Sequence, residues 1–279
     1  MAGTVAYEAD GGVATLTLNR PDRLNTITPE LAGDVRDALG RAEEDADVRV
    51  VRLRGAGRVF CAGYDIDWGA RMMEEAESGR PWDPMADLRT MSRFVFDTYM
   101  ALWRSPKPVI AQVHGFCVGG GTDFALCSDL IVCAEDCRIG YPPARVWGSP
   151  TTAMWTYRLG LERSKRLLLT GDALDGRTAV EWGLASLAVP AGELDDAALG
   201  LARRVALLPA NQLQMMKLLV NQAYEQMGLH VTQLIGTLLD GAARHTPEGV
   251  AFTRRAMEDV RAAVAERDGP FGDYGQERR

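Results

Sequence analysis

The sequence predicts an α/β fold, and three observations carry the prediction. Short apolar runs with strand character are repeatedly followed by a turn and then a helical segment, the alternation from which α/β layers are built. From about Leu194 onward the apolar spacing is helical throughout. With 47% hydrophobic positions over 279 residues, the chain can bury a substantial core as one large domain or as a core with a smaller appendage.

The elements follow in order. Val5 to Tyr7 and Val13 to Leu18 are short alternating runs joined by Asp10-Gly11-Gly12, which reads as a hairpin. Thr28 is a helix N-cap with Pro29 at the first helical position, and Leu31, Val35 and Leu39 recur at a spacing of four. Val48 to Leu53 reads as a strand; Arg49 and Arg52 interleave with its apolar residues, a mixed pattern that predicts one solvated edge or end. Residues 67 to 92 form a polar segment rich in Met, Glu and Trp, of the kind that serves as a lid or is disordered. A helix is expected near Phe94 to Trp103, a strand at Pro108 to Val113, a short helix through Leu126 and a strand at Leu130 to Cys133. The helical region then comprises Leu199 to Leu208, Asn211 to Met227, His230 to Ala243 and Pro247 to Val264. Apolar positions such as Leu213, Met216, Leu219 and Val220 must pack on something. Glu266 to Arg279 is rich in glycine and charge and reads as a mobile tail.

Composition narrows the function. The net charge is −7, and without a basic run nucleic acid is not an expected partner. Nor does an apolar run reach the roughly 18 residues that span a bilayer, and the N-terminus lacks the pattern of a secretory signal, so a soluble cytoplasmic protein is expected. Cys61, Cys117, Cys127, Cys133 and Cys137 are odd in number and mostly in apolar surroundings, which suits buried packing in a reducing compartment. Their spacing and the scattered His114, His230 and His245 predict no metal site. A structural hydrogen bond to a neighbouring loop is the expected role of His114.

Two glycine-bearing turns hold the chemistry. Phe60-Cys61-Ala62-Gly63-Tyr64-Asp65-Ile66 and Gly119-Gly120-Gly121-Thr122-Asp123 each stand where a buried strand gives way to a helix or loop. Glycine lets the backbone turn tightly and lets a ligand approach its amides, and a helix start presents free N–H groups. Two such turns face to face would make an oxyanion hole.

With their flanks, these turns resemble the crotonase (enoyl-CoA hydratase/isomerase) superfamily. Leu18-Asn19-Arg20-Pro21 with Leu24-Asn25, Gly171-Asp172 with Ala179 to Ala185, and Ala251-Phe252 followed by Arg254 and Arg255 extend the similarity over most of the chain. Periodicity alone does not separate a doubly wound sheet from this family's ββα spiral. The resemblance implies a crotonase-like spiral core over residues 1–193, a helical trimerisation region over 194–265 and a tail over 266–279. It implies an acyl-CoA substrate, no separate cofactor since CoA is part of that substrate, and a homo-trimer or dimer of trimers.

By the same resemblance, the backbone N–H groups of Tyr64 and Gly120 polarise the thioester carbonyl. Arg23, Leu24, Ala62, Asp65 and Ile66 would meet CoA, with Arg255 supplied across a subunit boundary. Trp68, Tyr141, Pro143, Trp147 and Thr151 would shape the acyl pocket, and the number of aromatic residues here, Tyr64, Trp68, Tyr141 and Trp147, suggests a bulky, cyclic or aromatic acyl chain. The acid–base positions depart from the pattern. Of the two glutamates typical of hydratases, the first is Asp123 here and the second falls at Pro143. A further carboxylate site used by some members is Thr151, and no Glu or Asp follows Pro143 until Glu162. A single carboxylate, Asp123, can move a proton at the α or γ carbon, so hydratase or isomerase is expected. Hydrolysis, carbon–carbon cleavage on the same oxyanion hole and non-catalytic acyl-CoA binding are the alternatives.

Overall fold

A computed structural model describes residues 3–69 and 82–272. The expected hairpin forms as β1 (Val5–Asp10) and β2 (Val13–Leu18), and from it a six-stranded sheet grows sideways. β3 (Val50–Gly55), β4 (Val109–Val113), β6 (Leu130–Ala134) and β9 (Leu187–Val189) add in parallel, giving the order β1-β2-β3-β4-β6-β9. A second sheet, order β5-β7-β8, is built from Phe116–Val118, Arg138–Gly140 and Ala173–Leu174.

The chain thus visits the two sheets alternately, β4 then β5, β6 then β7. That alternation makes the fold a ββα spiral rather than a doubly wound sheet. The corner between β4 and β5 needs glycine: Gly115 has φ +55°, and a Cβ there would stand 2.2 Å from the Arg58 carbonyl oxygen.

β3 settles the expectation of a solvated edge or end: it is no edge, lying between β2 and β4, while Arg49 just before its start is exposed. Arg52 is buried, bonded to the Thr15 hydroxyl, Gln112 Oε1 and Asp195, and the helix Leu194–Ala206 that brings Asp195 packs over this part of the sheet. A mixed strand pattern is satisfied here by a buried polar row that spans three strands and a helix.

The helix expected near Phe94 to Trp103 begins ten residues earlier. Asp83 caps the helix Pro84–Phe94 by accepting from Met85 N and Ala86 N; a π turn, Val95–Tyr99, joins it to Met100–Arg104. The π turn shifts the helical phase, so the apolar period does not run through it. Of the polar segment 67 to 92, residues 70–81 lie outside the described residues. At Thr28 the local signal holds: its Oγ1 accepts from Leu31 N at 3.2 Å at the head of Pro29–Glu44.

The helical region comprises Leu194–Ala206, Ala210–Gln226, Leu229–Arg244, Pro247–Glu258 and Val260–Asp268. The single helix expected over Pro247 to Val264 is two, because Asp259 leaves the helical region (φ −154°, ψ 101°) and its side chain caps the second. Val260–Asp268 carries the chain into the expected tail with Asp268 fully buried against Arg145, while residues 273–279 lie outside the described residues. In the single chain Met216, Leu219 and Val220 remain exposed. No described helix is long and apolar enough to cross a membrane.

Candidate active site

The first turn is held from the loop that precedes it in space. Asn25 donates its amide to the carbonyls of Ala56, Val59 and Phe60, and the Leu24 carbonyl accepts from Ala62 N at 3.1 Å. Ile27 donates to the Gly63 carbonyl (2.8 Å) and accepts from Asp65 N (2.9 Å). In such a parallel bridge the residue between, Tyr64, turns its own N–H away from Ile27.

The second turn leaves a matching group. Gly119 N bonds to the Gly140 carbonyl at 3.2 Å, and Thr122 N and Asp123 N close onto the carbonyls of Gly119 and Gly120. Among the described residues the N–H groups of Tyr64 and Gly120 have no hydrogen-bond partner. A parallel bridge between Cys61 and Cys117 locks the two turns in register, with Cys61 N on the Phe116 carbonyl and Val118 N on the Cys61 carbonyl, both at 3.1 Å. The turns face each other. At Gly63 (φ +94°) a Cβ would lie 3.0 Å from the Val118 oxygen and 3.5 Å from Gly120 N, and one on Gly120 would meet the Tyr64 ring at 2.7 Å.

Asp123 sits one helical turn beyond Gly120, 1% exposed. Burial pushes its carboxyl up to about 7; the Thr152 hydroxyl, 2.5 Å away, partly opposes this, and the charge of Asp240 adds to it. Thr151 Oγ1 is buried and has no partner among the described residues, yet it is close enough to hold the Asp123 carboxyl down somewhat. The other acidic residues near the turns are structural. Burial raises Asp65, but the Thr26 hydroxyl, Arg20 and Trp68 N outweigh it and leave the carboxyl below its usual range. Asp129 pairs with Lys217 at 2.8 Å and accepts from Val109 N.

Aromatic rings gather beside the first turn. Tyr64 meets Phe94 edge-on at 5.5 Å and Trp68 at 5.9 Å, and Tyr99 donates to the Tyr64 hydroxyl at 3.0 Å. Burial pushes the Tyr64, Tyr99 and Tyr141 hydroxyls up, so they stay protonated. Pro143 packs 3.5 Å from where a Gly119 Cβ would stand; Tyr141 donates to the Ser149 carbonyl at 2.9 Å, and Trp147 faces Phe252.

The positions expected to meet CoA are less concentrated. Arg23 is exposed and paired with Asp67 at 2.5 Å, Leu24 adopts a left-handed conformation (φ 52°), and Ala62 and Ile66 are partly buried along the first turn. Arg255 stands on Pro247–Glu258, paired with Glu266 and Glu258 rather than with either turn. His114 Nε2 bonds to the Gly57 carbonyl at 2.9 Å. All five cysteines are free and buried, and burial pushes the Cys61 thiol up to about 12 and the Cys117 thiol upward as well. Among the described residues no group of His, Cys, Asp or Glu is arranged to hold a metal ion.

Sequence reasoning missed a second carboxylate. Asp240, on Leu229–Arg244, is buried; its Oδ1 accepts from Ser149 N at 3.3 Å and its Oδ2 lies 3.2 Å from Arg244 Nε. Arg244 Nη2 also donates to both oxygens of Asp87 at 3.0 Å. The available signal was a polar series, Gln233, Thr237 and Asp240, at helical spacing along Leu229–Arg244. Nothing in that series says which loop it faces.

Comparison with known proteins gives the family. Residues 8–246 match the enoyl-CoA hydratase/isomerase family. An Escherichia coli 1,2-epoxyphenylacetyl-CoA isomerase is 34% identical over 78% of this chain and 82% of its own. A (E)-benzylidenesuccinyl-CoA hydratase from Thauera aromatica is 31% identical over 72% of this chain and 76% of its own. A crystal structure of an enoyl-CoA hydratase from Mycobacterium smegmatis superposes with a TM-score of 0.93 at 43% identity, covering 98% of this chain and 96% of that one. With a spiral of two alternating sheets, two facing glycine turns and a family match over most of its length, the chain belongs to the enoyl-CoA hydratase/isomerase, or crotonase, superfamily of enzymes.

Proposed function

We propose that this protein is an acyl-CoA hydratase or isomerase that holds the thioester oxygen between the N–H groups of Tyr64 and Gly120 and uses Asp123 to move a proton. The observation that carries the reading is the pair of facing backbone amides without partners in the fold. Charge grows on the thioester oxygen as an enolate forms, and one such preorganised donor is worth roughly two to three orders of magnitude in rate. A carboxyl near 7, as at Asp123, both accepts and returns a proton at neutral pH. This chemistry draws on no metal or redox cofactor.

The acyl group we propose is bulky and aromatic. The rings of Tyr64, Trp68 and Phe94 support it, as do relatives named for epoxyphenylacetyl and benzylidenesuccinyl thioesters. Arg23, Leu24, Ala62, Asp65 and Ile66 are the proposed CoA contacts, with Arg255 contributing from a neighbouring subunit. The exposed Met216, Leu219, Val231 and Ile235 support closure into a homo-trimer or dimer of trimers. Sedimentation as a monomer at micromolar concentration would rule that assembly out. Five free buried cysteines suit a reducing compartment such as the cytoplasm.

The test is incubation with linear, branched and aryl-substituted enoyl-CoA esters in deuterated water, followed by mass and chromatography. Water addition, or deuterium uptake with a displaced double bond, is the expected result and should be fastest on aryl substrates. Binding without chemical change across the panel would refute catalysis. Release of free CoA or of a shortened acid would put hydrolysis or carbon–carbon cleavage in its place.

A further inference from the structure

We propose that Asp240 is the second carboxylate of this site, taking the proton from water as it adds to the enoyl group while Asp123 protonates the α carbon. This rests on the reading of Tyr64, Gly120 and Asp123 given above and deepens it to hydration. The position where hydratases are expected to carry a second glutamate holds Pro143, which has no proton to give or take, so sequence order suggests one carboxylate. The tertiary fold supplies another.

The placement follows from how Leu229–Arg244 lies along the loop of residues 149–152. Gly236 allows the close approach: a Cβ there would stand 2.9 Å from the Pro150 oxygen and 3.3 Å from that of Thr151. Gln233 Nε2 donates to the Thr152 carbonyl at 3.1 Å, and Asp240, two helical turns on, accepts from Ser149 N at 3.3 Å. The same loop reaches Asp123 from its other side through the Thr152 hydroxyl at 2.5 Å. Four residues of loop therefore separate the two carboxylates. Thr151 falls between them in the loop, 2% exposed, with its Oγ1 buried, close enough to lower the Asp123 carboxyl and otherwise without a hydrogen-bond partner among the described residues.

Burial keeps Asp240 basic against the pull of Arg244. Arg244 Nε is 3.2 Å from Asp240 Oδ2, but its Nη2 is committed to both oxygens of Asp87 at 3.0 Å, so one guanidinium serves two buried carboxylates. Burial pushes Asp240 upward, Arg244 and Ser149 N pull it down, Asp87 pushes it up again, and the net direction is up. The groups around it are Arg244 on its own helix, Asp87 on Pro84–Phe94, Tyr141 and Tyr64 from the core, and Asp123. His245 follows Arg244, bonded to the Gly241 carbonyl and stacked on Trp82.

The step balances. Water oxygen bonds to the β carbon as its proton passes to Asp240, and the double-bond pair moves into the thioester enolate held by the Tyr64 and Gly120 amides. Protonated Asp123 then gives its proton to the α carbon, and the enolate closes to the 3-hydroxyacyl thioester. Asp240 ends protonated and Asp123 ionised, and exchange with solvent resets both.

Two reactions separate the carboxylates: water addition to an enoyl-CoA, and α-proton exchange of a saturated acyl-CoA in deuterated water, which needs only the oxyanion hole and Asp123. For Asp240→Asn we expect water addition to fall by roughly 10²- to 10⁴-fold, with α-exchange and thioester binding within a few-fold of wild type. For Asp87→Asn, which frees Arg244 to serve Asp240, we expect the acid limb of the pH profile for water addition to move to lower pH. That readout decides the matter even where Asp240→Asn fails to fold. Full water addition by Asp240→Asn overturns the inference, as does equal loss of both reactions at all pH values in Asp87→Asn, the mark of a mere clamp. Wild type that exchanges α-protons but adds no water sinks this inference alone; wild type that does neither sinks the parent reading with it.

Discussion

Replacing Asp123 by asparagine should remove activity yet stabilise the fold, and the gain should depend on pH. Burial holds the Asp123 carboxyl at about 7 against 3.8 for the free side chain, with Thr152 opposing and Asp240 adding. The folded state therefore keeps a proton that the unfolded chain gives up first. By linkage, this stabilising contribution is fully present below pH 3.8 and is lost as pH rises to about 7. The loss is about 1.4 kcal/mol per pH unit inside that window, hence roughly 4 kcal/mol over the whole shift and about 3 kcal/mol between pH 5 and pH 8. Asparagine has nearly the same shape, keeps an oxygen for the Thr152 hydroxyl and has no charge to desolvate. Urea denaturation of both proteins at pH 5 and pH 8, at one protomer concentration, measures the difference. The advantage of Asp123→Asn should reach about 4 kcal/mol at pH 8 and shrink by about 3 kcal/mol at pH 5. An advantage that is the same at both pH values would refute the burial of an ionising Asp123.

Other changes read out the remaining parts. Gly63→Ala places a methyl 3.0 Å from the Val118 oxygen and 3.5 Å from Gly120 N, at a φ of +94°, so turnover should fall by roughly 10²-fold or more; unchanged turnover would dissociate the turn from the chemistry. Asp268→Ala removes the fully buried carboxylate shared by Arg145 and Arg267 while Asp172 and the Thr170 carbonyl still serve Arg145, so unfolding free energy should drop by about 1–3 kcal/mol. A thermal midpoint equal to wild type would show that the C-terminal helix is not anchored there.

The turns at Gly63 and Gly120 were readable because a glycine requirement is local: it comes from backbone conformation and from atoms that crowd one residue. His114 on the Gly57 carbonyl and the buried cysteines were legible for a similar reason, since a lone polar or thiol group in an apolar run has few things to do. Arg52 misled, because alternation shows that a side chain has a polar partner without showing whether the partner is water or Asp195. The helix Pro84–Phe94 was hidden by the π turn that follows it.

By itself the sequence determined the α/β class, the superfamily, the caps at Thr28 and the two turns that would form the oxyanion hole, because each depends on spacing within a few residues or on a family pattern. Only the tertiary structure decided which strands pair in each of the two sheets, that Arg52 lies inside, and that Asp240 and Arg244 reach the loop beside Asp123. Those facts depend on which surfaces meet after the helices pack. Helical periodicity marks the face of Leu229–Arg244 that will be buried, but the Gly236 contact with the Pro150 backbone chooses what that face is buried against.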